Sequence, residues 1–127
     1  MDKRALNAHD APQPAGGYSQ VCEVSHPTRW AFVSGQIPQP VDGVVPPDFA
    51  AQARLAWRNV EAQLRAADMT LDNIVKVTIY LSDRKHGIEN RNVRHEVLGA
   101  LSPALTVIIS GIFDSAWLIE IEAVAAA

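Results

Sequence analysis

The chain carries almost none of the residues on which several large functional classes depend. It has one cysteine, Cys22, so an internal disulfide is excluded, and no Cys or His partner stands at zinc-finger spacing. The four histidines, His9, His26, His86 and His95, show no metal-ligand spacing, so no metal is expected. No GxxxxGK[ST], HExxH, GxSxG or GxGxxG motif occurs, which removes the usual signatures of NTPases, zincins, serine hydrolases and dinucleotide binders. No run approaches the ~20 apolar residues of a membrane span. The first 17 residues, with Asp2, Lys3, Arg4 and Asp10, lack the apolar stretch of a signal peptide. A cytoplasmic chain with no membrane partner is the expectation. Basic residues are scattered and the net charge is -3. Nucleic-acid binders cluster Lys and Arg to displace phosphate counterions, so no nucleic-acid partner is expected.

What is present is the composition of one ordinary globular domain. The 127 residues are 48% hydrophobic and 20% charged, which predicts a single domain over 1–127. Residues 1–16, rich in Pro and Gly near their end, read as an irregular N-terminal arm. Tyr18 to Val24 has the composition of a strand, and Trp30 to Ser34 reads as a stronger one. Gly35 to Pro47 contains Pro38, Pro40, Pro46, Pro47 and Gly43, which makes it loop. Asp48 is placed to cap a helix. Phe49, Ala53, Ala56, Trp57, Val60, Leu64 and Ala67 recur at helical spacing, predicting a helix from about Phe49 to Ala67. Ile74 to Leu81 alternates, with Val75, Val77, Ile79 and Leu81 on one face and Lys76, Thr78 and Tyr80 on the other. A second helix is predicted over about Ile88 to Leu98, followed by strands at Leu105–Gly111 and Trp117–Val124. The order β-β-α-β-α-β-β predicts one sheet with both helices on one face. The other face then needs cover, and a second subunit would supply it.

Candidate chemistry is sparse. In the last strand Leu118, Glu120, Glu122 and Val124 share a face. Two carboxylates on a strand face are ordinarily solvated. The sharper reading is a carboxylate in a partly dry interface, where desolvation raises its pKa and suits it to proton transfer. Tyr18 and Ser34 offer hydroxyls, although such residues beside glycine ordinarily form turns. Asn92 on a helix is ordinarily a solvated residue. Cys22 in a strand reads as a small core residue rather than a nucleophile.

An ordered set of segments resembles the Rid (reactive intermediate deaminase, RidA/YjgF-like) family. It comprises Gly17-Tyr18-Ser19-Gln20, Val33-Ser34-Gly35-Gln36-Ile37-Pro38, Gln52-Ala53-Arg54 with Asn59, Ile74 to Leu81, Pro103-Ala104 and Ile119-Glu120-Ile121-Glu122-Ala123. The resemblance implies a chorismate-mutase-like α+β fold, with a mixed sheet and two helices packed on one face. It also implies a homotrimer whose sheets enclose a central barrel, with clefts between neighbouring subunits. Members of this kind hydrolyse enamines and imines to a 2-oxo acid and ammonia without a cofactor, so none is expected here. By the resemblance, Glu120 would orient water and shuttle protons, and Tyr18, Ser34 and Asn92 would line the cleft. Asn90 is the alternative register for the asparagine. The main chain near Val107 would lie beside the attacked carbon.

The chain departs from the family where it matters for specificity. Deaminating members follow Pro-Ala with an arginine that grips the substrate carboxylate; here the residue is Leu105. Its loss is expected to weaken carboxylate binding by roughly 10- to 150-fold. The substrate would then be uncharged at that end, or more apolar. Arg91 or Arg94 could reach in as a substitute, although a helix-surface arginine is ordinarily solvated. The connection from the second helix to Pro103 is also shorter than in typical members. Two functions follow: an imine or enamine hydrolase with altered substrate choice, and a non-catalytic trimer that binds a small ligand. RNA cleavage, attached to some relatives, fits poorly with the acidic charge balance.

Overall fold

A computed structural model describes residues 1–127. Six strands and two α-helices are present: β1 (Asp2–Leu6), β2 (Val21–Ser25), β3 (Trp30–Gln36), α1 (Phe49–Ala66), β4 (Ile74–Leu81), α2 (Gly87–Leu98), β5 (Ala104–Ile109) and β6 (Ile119–Ala126). The main sheet has the order β3-β6-β4-β5. It is mixed: β4 and β5 are parallel, and β6 runs antiparallel to both β3 and β4. This is an α+β fold. No helix is long and apolar enough to cross a membrane.

Helix α1 forms where the apolar spacing places it. The Asp48 carboxylate accepts from the Ala51 N–H at 3.1 Å, capping the first turn. Its stripe of Phe49, Ala53, Ala56, Trp57, Val60 and Leu64 is buried against Ile119, Ile121, Ala123 and Ala125 of β6 and Val77, Ile79 and Leu81 of β4. The alternation in β4 and β6 is the period-2 consequence of one face meeting helices. Helix α2 adds Val93 and Leu98 to the same core.

Three expectations need correction. The arm is not irregular throughout, because Asp2–Leu6 forms β1 and pairs antiparallel with β2, Arg4 opposite Glu23. Its sequence, Asp-Lys-Arg-Ala-Leu, has no apolar alternation to announce a strand. Pairing with a remote segment satisfies its backbone instead. That pair also makes a separate two-stranded sheet, so the strands do not all belong to one. The last strand begins at Ile119 rather than Trp117.

Several motif residues prove to be loop anchors. The buried Gln52 amide donates to the carbonyls of Pro46 (2.8 Å) and Ala116 (2.9 Å) and accepts from the Leu118 N–H (2.8 Å). Asn59 donates to the carbonyls of Ile37 (2.8 Å) and Gln39 (3.1 Å). Between them they fix the loop after β3 and the link into β6.

Candidate functional site

The sheet divides the candidate residues into two groups. Because β4 and β5 are parallel and in register, Leu105 and Val107 stand beside Val77 and Ile79 on the helix side. Glu120, paired with Tyr80, lies on the opposite, open side.

On the helix side is a crevice of about 370 Å³ between β5 and α2, lined by Tyr18, Asn90, Arg91, Arg94, Leu105 and Val107 among others. That volume lies within the range of small-ligand sites. Tyr18 is held there by its neighbour: the Ser19 hydroxyl donates to the Ser102 carbonyl at 2.7 Å, and the Ser19 N–H donates to the Pro103 carbonyl at 3.1 Å. Gly17, at φ +75°, lies so close to His95 that a Cβ would meet the ring at 2.4 Å. Only glycine lets the arm lie this tightly against α2.

The asparagine in this crevice is Asn90, 3% exposed, and not Asn92. Asn92 is exposed and faces a different hollow, beside Arg54 and Glu96. The reason is helical phase. Asn90, Val93, Arg94 and Leu98 form the inner stripe of α2, and residue 92 falls outside it. That phase could be read from the apolar positions Val93, Val97 and Leu98 alone. Arg94 also departs from the solvated state ordinary for a helix arginine, being 5% exposed. Arg91 remains exposed.

On the open side, Glu120 lies directly over Gly35, where a Cβ would stand 2.0 Å from its Oε2. The β3–β6 register shifts between Val33 and Gln36, so Ser34 and Gly35 form a bulge beneath the carboxylate. A bulge leaves an extra residue unpaired and bends the strand that carries it. Glu120 is half-buried. Its neighbour Glu122 accepts from the Tyr80 hydroxyl at 2.7 Å. That bond, followed by desolvation and the nearby carboxylate charges, holds the Tyr80 phenol above its ordinary pKa. Ser34 is exposed and lines a shallow hollow with Phe32, Lys76, Thr78 and Glu122. Within one chain, therefore, Tyr18, Leu105 and Val107 come together, while Ser34 and Glu120 do not join them.

Cys22 offers no nucleophile to either group. Burial pushes its thiol pKa up, against a smaller opposing effect of Lys3, so the thiolate is disfavoured. No group of His, Cys, Asp and Glu is arranged to hold a metal.

A two-helix, mixed-sheet domain with a ligand-sized crevice at a sheet edge is the class of protein these features define. Comparison with known proteins places it further. Residues 8–127 match the family model described as Endoribonuclease L-PSP, and the chain belongs to that family, which includes the RutC and Rid proteins. A RutC family protein of Pyrococcus horikoshii is 34% identical over 125 residues, 97% of each chain. TdcF of Escherichia coli, whose name assigns it provisionally to the reactive intermediate deaminases, is 35% identical over 82 residues, 64% of this chain and 61% of that protein. The solved structure of YyfB, a Rid family protein of Yersinia pestis, superposes over 100% of both chains with a TM-score of 0.86 at 24% identity. That likeness is one of fold.

Proposed function

We propose that this protein hydrolyses reactive imines or enamines to a carbonyl compound and ammonia, without a cofactor, in clefts completed by a neighbouring copy of the chain. The observation that carries the reading is the placement of Glu120. Its carboxylate forms no hydrogen bond or ion pair within the chain, and it lies beside the β3 bulge, over the one residue type, glycine, that leaves room for it. A carboxylate so placed can take a proton from water as the oxygen attacks the C=N carbon. It can then return that proton to the nitrogen, giving a carbinolamine, and relay the hydroxyl proton to the same nitrogen as the C=O bond forms, the C–N bond breaks and ammonia leaves. The name of the TdcF relative supports this chemistry.

A neighbouring copy is needed because a ligand in the crevice beside Tyr18 and Leu105 cannot touch Glu120 of the same chain through the sheet. The edge strand β5 offers Val107, Ile108 and Ile109, each 39–45% exposed, and the open face offers Phe32, 77% exposed. Burial of these surfaces in a homotrimer would carry Ser34 and Glu120 of one copy to the crevice of the next. Leu105 and Val107 give that crevice an apolar wall, and substrate choice would shift accordingly.

Leu105 in place of the expected arginine favours one other reading, a trimer that binds a small ligand without turning it over. Ammonia release from enzymatically generated 2-iminopropanoate and bulkier imines separates the two. The hydrolase reading expects catalysis by the wild type that Glu120→Gln abolishes. Release no faster than the spontaneous rate for every imine would sink it, and a ligand that raises the melting temperature unchanged would establish the binder. The endoribonuclease name of the family model finds little support in this chain, whose net charge is -3 and whose open face carries Glu120 and Glu122.

A further inference from the structure

Helix α2 holds a guanidinium that no carboxylate of its own chain pairs. Arg94 is 5% exposed. Its protein contacts are the Gly16 carbonyl, 3.4 Å from Nη2, and the Tyr18 ring, 5.8 Å from Cζ. Its Nε is buried without a partner, as is Oδ1 of Asn90 one helical turn earlier. Arg91 lines the same crevice, with Nη2 on the Ala15 carbonyl at 3.0 Å. The chain's ion pairs, Arg4–Glu23, Arg54–Glu96 and Arg65–Glu61, all lie elsewhere.

Covering a cation without pairing it is costly. Arginine cannot escape by losing its proton, even though burial first, and the Arg91 charge second, push its pKa down against the smaller effect of Tyr18. The carbonyls of Ala15 and Gly16 hold the two side chains but neutralise nothing. An anion in the crevice would. The opposite wall, Leu105 and Val107, is apolar, and Asn90 Oδ1 lacks a donor.

We infer that Arg94, assisted by Arg91 and Asn90, forms a carboxylate-binding subsite, and that its ligand is a small monoanion with an apolar side chain and an N–H or O–H beside the acid group. The arginine's task thus passes from strand β5 to helix α2. The expected uncharged substrate gives way to an imino acid bearing an aliphatic group. For the identity of the N–H donor this rests on the hydrolase reading; the anion subsite does not.

The test uses 2-hydroxy-4-methylpentanoate, an acid that cannot be hydrolysed and carries O–H where an imine carries N–H, with its methyl ester as the uncharged control. Calorimetric titration of the wild type should show the acid binding at least 10-fold tighter than the ester. Arg94→Met should weaken acid binding by roughly 10- to 150-fold, the range expected for hydrogen bonds to a charged group, and weaken binding of the uncharged ester far less. Arg94→Lys, which keeps the charge but loses the fork, should fall between. Ester binding also reports whether Arg94→Met is folded. If that variant fails to fold, Arg94→Lys and Arg91→Met decide by a reduced acid-over-ester ratio. Equal binding of acid and ester by the wild type, an unaltered ratio in the variants, or equally tight binding of inorganic phosphate would overturn the inference. Its failure is distinguishable from that of the hydrolase reading. Acid binding that depends on Arg94, with no imine ever turned over, sinks only the hydrolase. Imino-acid hydrolysis by Arg94→Met at the wild-type KM sinks only the subsite.

Discussion

Replacing Gly35 by alanine should separate catalysis from stability. The new Cβ would stand 2.0 Å from Glu120 Oε2, 2.8 Å from its Cδ and 3.1 Å from its Cγ, where real contacts essentially never fall below 3.0 Å. The carboxylate must therefore retreat by at least 3.0 − 2.0 = 1.0 Å. Its retreat is a rotation of a flexible side chain, at a cost of about 0.5–1.5 kcal/mol if it ends off a preferred rotamer. Gly35 does not sit at positive φ, so alanine fits the backbone and gains about 0.4–1 kcal/mol from a less flexible unfolded chain. The two effects nearly cancel, and the unfolding midpoint in denaturant should move little. Catalysis has no such compensation. A displacement of ~1 Å at a reacting group costs on the order of 100-fold, so kcat/KM for imine hydrolysis should fall by about that factor. Ammonia release measured alongside a urea titration gives both numbers. A Gly35→Ala protein that unfolds at the wild-type midpoint and hydrolyses at the wild-type rate would refute the positioning of Glu120 as the source of catalysis.

Two further outcomes follow from the same coordinates. Asn90→Leu removes a buried amide whose Oδ1 has no partner, so thermal melting should be unchanged or raised while ammonia release falls at least ~10-fold; Asn92→Leu, on the exposed side of α2, should alter neither, and equal effects of the two would disprove the helical phase assigned here. The Tyr80 phenol is held above its ordinary 10.0, chiefly by its bond to Glu122. A raised folded-state pKa contributes stability that is present below the unfolded value and lost as pH rises through the folded one. Absorbance titration of tyrosinate in a Tyr18→Phe background should therefore show ionisation above 10.0, and Glu122→Gln should bring it down; an unmoved titration would show that the bond is not maintained in solution.

Much of the molecule was legible in the sequence because its elements announce themselves by period. The Asp48 cap, the apolar stripe of α1 and the alternation of β4 and β6 are local consequences of which side chains avoid water. Each is written in consecutive residues. The ordered motifs extended that reading to the family, and with it to Tyr18, Leu105, Val107 and Glu120 as candidates.

What the tertiary structure alone decided are relations between residues far apart in the chain. β1 is a strand because β2 lies beside it, and five mostly polar residues carry no sign of that. The sheet sets Glu120 and Leu105 on opposite faces, so a ligand in the crevice cannot reach the carboxylate of the same chain. Gly35 matters because Glu120, remote in sequence, lies over it. Arg94 is covered because the arm folds back over α2 through Gly16 and Gly17, and an unpaired charge acquires meaning only once water has been removed from around it. Burial is a property of the whole packed chain, so no window of sequence contains it.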